Sequence, residues 1–361
     1  DGRSATRIRT CWIPRVEVPK AAADVLKGSE VLELDFLSRQ DQQKQVQAAL
    51  VEFVDAYESW ISAIENTSDT VINEFDESHG GFVRKAFQDN ISLCREAAER
   101  IRAGIECLDN RSVWTACCLA NEAMALSMRQ SRSDQDPTWR AFQLAFILVC
   151  LPSAIDLKHE HRTTLDLIWF PTGGGKTEAY LGLAAIVIFH RRICANTQAE
   201  AGGTTVLTRY TLRLPTIQQF ARATRMICAC EILRRRDHGL LGTVPMTSGL
   251  FVGNSATPGT LQEARRILDD ESEDDGNLTT LPLVDCPWCD TELQINLQRT
   301  DDEKLVTPCP EPDCEFHEEI PIAVVDEQIY RNPPTMVVGT IDKFARMAWE
   351  PRIRSLFGIG D

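Results

Sequence analysis

The chain has 361 residues, a formal net charge of −15, 43% hydrophobic and 25% charged residues. Such a composition is that of a globular chain long enough for roughly two domains. Its acidity excludes a protein that coats nucleic acid through bulk positive charge, but not a local basic groove, because charges are screened beyond about 8 Å at physiological salt.

No apolar run approaches the ~20 residues of a membrane span, and no signal pattern opens the chain, so no membrane partner is expected. Most of the 13 cysteines outside Cys286–Cys314 sit in helical apolar patterns, where a free thiol acts as a small hydrophobe. A reducing cytoplasm is the expected setting.

Residues 1–39 contain only short extended pieces broken by Pro14 and Pro19. From about Gln40 to Asn66 the spacing of Val46, Leu50, Phe53, Val54, Trp60 and Ile61 is helical with one apolar stripe. Further helices are predicted over Gly81–Leu108, Val113–Arg129 and Pro137–Val149. An N-terminal helical domain over 1–136 is therefore expected, followed by a second domain over 137–361.

Leu165 to Trp169 is short and apolar and predicts a buried strand. It leads into Thr172-Gly173-Gly174-Gly175-Lys176-Thr177, and then into an Ala- and Leu-rich helix from Glu178 to Arg192. Strand, glycine loop, Lys-Thr and helix form the context of a phosphate-binding loop. Glycines let the backbone turn its N–H groups towards phosphate oxygens, and the helix N-terminus adds about half a positive charge. Lys176 is expected on the β- and γ-phosphates of ATP, and the Thr177 hydroxyl on Mg²⁺.

Thr204–Thr208 predicts the next strand, followed by Arg209, Arg213 and Gln218 at a strand–helix junction. Arg222 and Arg225 follow, with the power to meet a phosphate backbone. Arg234-Arg235-Arg236 is read as a solvated helix end. Leu250–Gly253 predicts another strand, and the acidic run Asp269–Gly276 a mobile surface loop.

Cys286-Pro-Trp-Cys289 and Cys309-Pro-Glu-Pro-Asp-Cys314 are two cysteine pairs, nineteen residues apart. They match a four-thiolate Zn²⁺ ribbon, inserted over about 283–320. His317 is an alternative ligand, and unbound thiols the alternative state. Ile320–Glu327 is strand-like and ends in Asp326-Glu327, imitating a magnesium-binding pair. Thr335–Phe344 is a strand that ends at Thr340 and leads to Lys343.

Pro171-Thr-Gly-Gly-Gly-Lys-Thr177 resembles the loop of superfamily 2 helicases, with Phe170 where the general pattern has glycine. Taken with Arg209-Tyr-Thr-Leu-Arg-Leu214, the cysteine ribbon and Gly339-Thr-Ile-Asp-Lys-Phe-Ala345, the chain resembles the helicase-like DrmA family of the bacterial DISARM anti-phage defence system. The resemblance covers 137–361 well and the helical part more loosely. It implies an α/β fold, a RecA-like P-loop parallel sheet, and an ATP-driven DNA-binding motor acting on phage or other foreign DNA with a DrmB-type partner. It implies adenine recognition by Gln143, with Arg140 beside it, 33 residues before Lys176 in the case of Gln143. It also implies nucleic-acid contacts by Arg209, Arg213, Gln218, Thr340 and Lys343. The order of motifs places Thr340 before the true Asp-Glu pair, so Asp326-Glu327 is not expected to be that pair and these 361 residues alone are expected to lack ATPase. A nucleotide-gated DNA-sensing scaffold that does not translocate is the alternative.

Overall fold

The computed structural model describes residues 30–68, 70, 77–131, 136–168, 174–211, 213–253, 257–271, 283–293, 297–299 and 305–359. The four expected N-terminal helices are present as α1 (Gln43–Asn66), α2 (Glu77–Glu106), α3 (Arg111–Ser131) and α4 (Ala141–Ile155). Val46, Leu50, Phe53, Val54 and Ile61 line the buried stripe of α1 as their spacing predicts, whereas Trp60 of the same expected stripe is exposed. Helices α2 and α4 cross so closely that a Cβ on Gly104 would lie 2.1 Å from the Leu148 carbonyl oxygen. Only glycine fits there.

After α4 come α5 (Lys176–Cys194), α6 (Arg213–Arg236), α7 (Leu261–Glu271), α8 (Asp326–Arg331) and α9 (Ile341–Ala345). The described strands are β1 (Val206–Tyr210), β2 (Ser248–Phe251), β3 (Gln298–Arg299), β4 (Leu305–Val306), β5 (Ile322–Ala323) and β6 (Met336–Thr340). Four of them form one sheet in the order β1-β6-β2-β5, and every pairing in it is parallel. The sequence-predicted strands near 204, 250, 320 and 335 all lie in this sheet. Strands β3 and β4 form an antiparallel pair of their own.

A parallel sheet has both faces covered. Helix α6 packs against β6 and β2 on one face. On another side Phe251, Val337, Ile329, Phe344, Ile353 and Leu356 form a separate apolar cluster. The larger core is continuous across residue 136: Leu50, Ala120, Leu148, Phe189, Phe220, Val338 and Cys286 belong to one cluster. Helix α3 is buried so extensively because it packs on both α5 and α6.

Two expectations need correction. Residues 164–168 form no ladder, and Leu165 and Leu167 are 92% and 78% exposed. Asp166 between them turns inward to Arg100, at 2.6 and 2.9 Å. The ion pair, rather than strand pairing, holds this segment to α2, so the expected buried strand is absent among the described residues. The second correction concerns Arg234-Arg235-Arg236. Arg234 is buried on Glu231, Arg235 sits over the Phe316 ring and Arg236 pairs with Glu122. Of the three, Arg234 is packed inside, while Arg235 and Arg236 stay exposed and make these contacts at the surface. The expected extended pieces before residue 30, and the acidic run from 272 on, lie outside the described residues.

Candidate phosphate loop and metal centre

Gly174 and Gly175 lead directly into α5, which Lys176 opens. Gly175 has φ +83, a left-handed conformation that glycine adopts without penalty. The Gly174 carbonyl accepts a hydrogen bond from Arg140 Nη1 at 2.8 Å. The Gly175 carbonyl accepts one from Gln143 Nε2 at 2.6 Å. Across a planar trans peptide the C=O and the following N–H point in opposite directions. Anchoring these two carbonyls on α4 therefore turns the N–H groups of Gly175 and Lys176 to the other side, the arrangement of an anion-binding nest.

Gln143 is 3% exposed, and besides its bond to Gly175 its Oε1 accepts the Arg140 backbone N–H at 2.7 Å. The structure thus brings Gln143 and Arg140 to the loop as its clamp. One amide N–H and one oxygen lone pair of Gln143 remain beyond these two bonds.

On the far side of the loop, Thr177 Oγ1 donates to Gln219 Oε1 at 3.2 Å, and Tyr180 donates to the same oxygen at 3.1 Å. Tyr180 and Tyr210 share a hydrogen bond of 2.7 Å. With its one proton given to Gln219, Tyr180 accepts from Tyr210. Burial, and then the bond to Tyr180, raises the Tyr210 phenol above its ordinary range. Glu178 pairs with Arg222 of α6. Sequence reasoning missed Gln219, Tyr180 and Tyr210, because each is remote from the loop or lacks a motif. The only signal was that Tyr210 ends a strand beside the expected arginines.

Thr172 and Gly173 lie outside the described residues, as does the side chain of Arg213. Arg209 and Gln218 are exposed, on β1 and α6. Arg225 donates from Nε to the Pro287 carbonyl at 2.6 Å and pairs with Asp290. It holds the cysteine knuckle, so it does not face a phosphate backbone.

Thr340 and Lys343, expected to contact nucleic acid, are both buried. Lys343 is 2% exposed, pairs with Asp326, which is also buried, and its ammonium lies 5.0 Å from the Phe251 ring centroid. Thr340 is buried at the end of β6. The sequence placed both at the carboxyl end of a strand, but the following turn folds inward and takes them with it.

Asp326 and Glu327 open α8 rather than ending a strand. Burial raises the Asp326 carboxyl above its usual range, while Lys343 opposes the rise. Glu327 accepts the Leu261 N–H at 2.8 Å and pairs with Arg331 at 2.5 Å. Strand β5, just before them, is three places from β1 in the sheet, which at ~4.8 Å per strand is about 14 Å. Tyr180 of the loop helix meets β1, so the acidic pair lies towards the opposite edge.

Cys286, Cys289, Cys309 and Cys314 converge, with all four sulfurs within 4.8 Å of one another. At a Zn–S distance of about 2.3 Å, a tetrahedron places its sulfurs ~3.8 Å apart, so the donor set fits Zn²⁺. Burial pushes the Cys286 thiol up to about 12. At Cys289 burial acts the same way, but hydrogen bonds from Thr291 and the neighbouring thiols outweigh it and lower the value. A dication would replace these protons on binding. His317, the alternative ligand, turns its Nδ1 to the Cys309 carbonyl oxygen at 2.8 Å, and the donor set that converges is the four cysteines. Arg235 Nη1 also reaches the Glu315 carbonyl, at 3.2 Å. Both ends of the cluster are thereby tied to α6.

Among the described residues no helix is long and apolar enough to cross a membrane. No protein-family model matches the sequence. The chain is similar to the DISARM protein DrmA of Bacillus paralicheniformis, 34% identical over 392 residues, covering 98% of this chain and 34% of that protein. It thus spans about a third of the length of this curated relative. Over the residues it spans, the chain belongs to the DrmA family of DISARM proteins.

Proposed function

We propose that the chain carries the phosphate-binding half of an ATPase site in a superfamily 2, RecA-like DNA motor. The observation that carries this is the loop itself: two glycine carbonyls tied back to Arg140 and Gln143, two N–H groups turned the other way, and Lys176 at the start of a helix. In this reading the N–H groups of Gly175 and Lys176 bind phosphate oxygens, and the Lys176 ammonium neutralises charge on the β- and γ-phosphates. The Thr177 hydroxyl, which donates to Gln219, would be the side-chain ligand offered to Mg²⁺, and the metal would supply neutralisation of phosphate charge. Thr172 and Gly173 complete the loop.

Arg209, Arg213 and Gln218 are proposed to meet the backbone of DNA, phage-derived or otherwise foreign, beside the carboxyl end of β1. Lys343 and Thr340 would act from beneath, by shaping the turn after β6. Defence-system membership supports a DrmB-type partner and a cytoplasmic setting.

Asp326 and Glu327 are committed to Lys343 and to the start of α7, which favours hydrolytic groups supplied from elsewhere in the longer protein. The same observation keeps a second reading in play, a nucleotide-gated DNA-binding scaffold. ATPase rates that rise with DNA length support the motor, and DNA binding without stimulated turnover supports the scaffold.

The loop assignment is tested with Lys176→Ala in the full-length protein. ATP affinity by calorimetry should fall at least a hundredfold, with stability changed by less than about 0.5 kcal/mol because the lost charge is at a helix start. Unchanged affinity would remove the assignment.

A further inference from the structure

The turn after α9 carries a side chain that neither the loop nor the cysteine cluster uses. Trp349 is 82% exposed, and its neighbours from Ala345 to Ala348 are exposed as well. An indole of that size left in water forgoes a large apolar contribution. It forms one wall of a cavity of about 210 Å³, whose other walls include Glu263, Asp326, Tyr330, Arg346 and Arg352. Arg352 is fixed there: it is bidentate to Glu350, at 2.8 and 2.7 Å, and lies 5.1 Å over the Tyr330 ring.

The charges differ from those of the chain as a whole. Residues 341–354 hold four basic side chains against two acidic ones, in a protein of net charge −15. Lys343 is matched by Asp326 and Arg352 by Glu350. Arg346 and Arg354 are exposed with no carboxylate in ion-pair range among the described residues. The turn follows the carboxyl end of β6, the side of a parallel sheet on which ligands bind. Tyr210 at the carboxyl end of β1, one strand away, meets the phosphate-loop helix on that same side.

We infer that Trp349, with Arg346 beside it and the cavity behind it, is a stacking platform for an unpaired base of single-stranded nucleic acid. A flat exposed aromatic flanked by guanidiniums is the arrangement such strands use, because every base has a π-face and every nucleotide a phosphate. Paired bases stack on each other and leave no face free, so duplex should gain nothing from the indole. Arg346 holds the adjoining phosphate and the cavity admits the edge of the base. The inference rests on the DNA-binding reading and adds to it the strandedness and the residue.

The experiment uses full-length protein, an oligothymidylate and a duplex of matched length, with Kd read by anisotropy. Trp349→Ala should weaken oligothymidylate binding by about five- to a hundredfold, the range expected for one lost stack, and leave duplex binding unchanged. Trp349→Phe should keep most of the affinity, whereas Trp349→Leu, apolar but without a π-face, should behave like alanine. Arg346→Ala should lower the slope of log K against log salt by about 0.7, one single-strand phosphate contact, while Trp349→Ala leaves the slope alone. Leucine rescuing as well as phenylalanine would overturn the platform and make Trp349 an ordinary apolar contact. Wild-type and Trp349→Ala proteins binding alike would also overturn it and leave DNA binding standing. A wild-type protein that binds neither oligonucleotide overturns both.

Discussion

The cysteine cluster and the phosphate loop are built in opposite ways. The four cysteines lie within 29 residues and supply all four sulfurs from that one stretch, with α6 gripping only its flanks. The loop is held by three separate segments: Arg140 and Gln143 of α4 behind it, Gln219 and Arg222 of α6 in front, and Tyr210 of β1 beside it. The difference teaches where each site is vulnerable. A closed metal site fails through its own ligands. A loop whose geometry is imposed from outside also fails through residues that never touch the substrate.

The largest expected effect is on the cluster. Cys309→Ser, or removal of metal by a chelator, should collapse the local fold around Trp288 and Phe316, since structural zinc supplies about 10–16 kcal/mol in finger peptides. Metal analysis should find one zinc per wild-type chain, and ATP affinity should survive its loss. If nucleotide binding disappears with the metal, the cluster is needed to hold the loop and the contrast fails.

Gln143→Ala tests the loop side. It leaves the Gly175 carbonyl and the Arg140 N–H without their partner, which costs about 1–3 kcal/mol for buried groups. Thermal unfolding should register that loss, and ATP affinity by calorimetry should fall with it. A stable variant with full affinity would show that the clamp does not set the loop.

Asp166 gives a smaller, pH-dependent effect. The Arg100 guanidinium holds its carboxyl below the usual carboxylate range, so its stabilisation is complete above the unfolded value of about 3.9 and is lost as pH falls through the folded one. Stability from denaturant unfolding should therefore fall more steeply with decreasing pH below about 4 in wild type than in Asp166→Asn. Parallel curves would mean the pair contributes nothing. The smallest effect belongs to Arg213→Ala. It should flatten the salt dependence of DNA binding by about one unit of slope, equally for all sequences, whereas an unchanged slope would return Arg213 to a solvated helix face.

What could be read from the sequence follows the same division. The four helices, the sheet strands and the cysteine quartet were legible, because periodicity and short spacing are local properties. The strand before the loop was not. Leu165, Asp166 and Leu167 have the composition of a buried strand, yet the deciding contact is Arg100, 66 residues earlier. The burial of Lys343 was not legible either, because nothing in its neighbourhood announces Asp326, 17 residues back, as its partner. Gln143 was found by its distance from Lys176, but its duty to the Gly175 carbonyl follows only from the packing of α4 against α5.

Helix α6 contains neither proline nor glycine from Thr216 to Arg236, and so lacks the residues at which helices usually kink. Gln219 at one end touches Thr177, while Arg225 and Arg235 further along grip both flanks of the cysteine knuckle. From Gln219 to Arg235 the axis is about 24 Å long at 1.5 Å per residue. The helix is in effect a connecting rod. A tilt of a few degrees at the hydroxyl of Thr177 becomes a displacement of an ångström or more at the metal, so a spectroscopic ion seated among the cysteines would register, from far outside the nucleotide site, which way the rod is leaning.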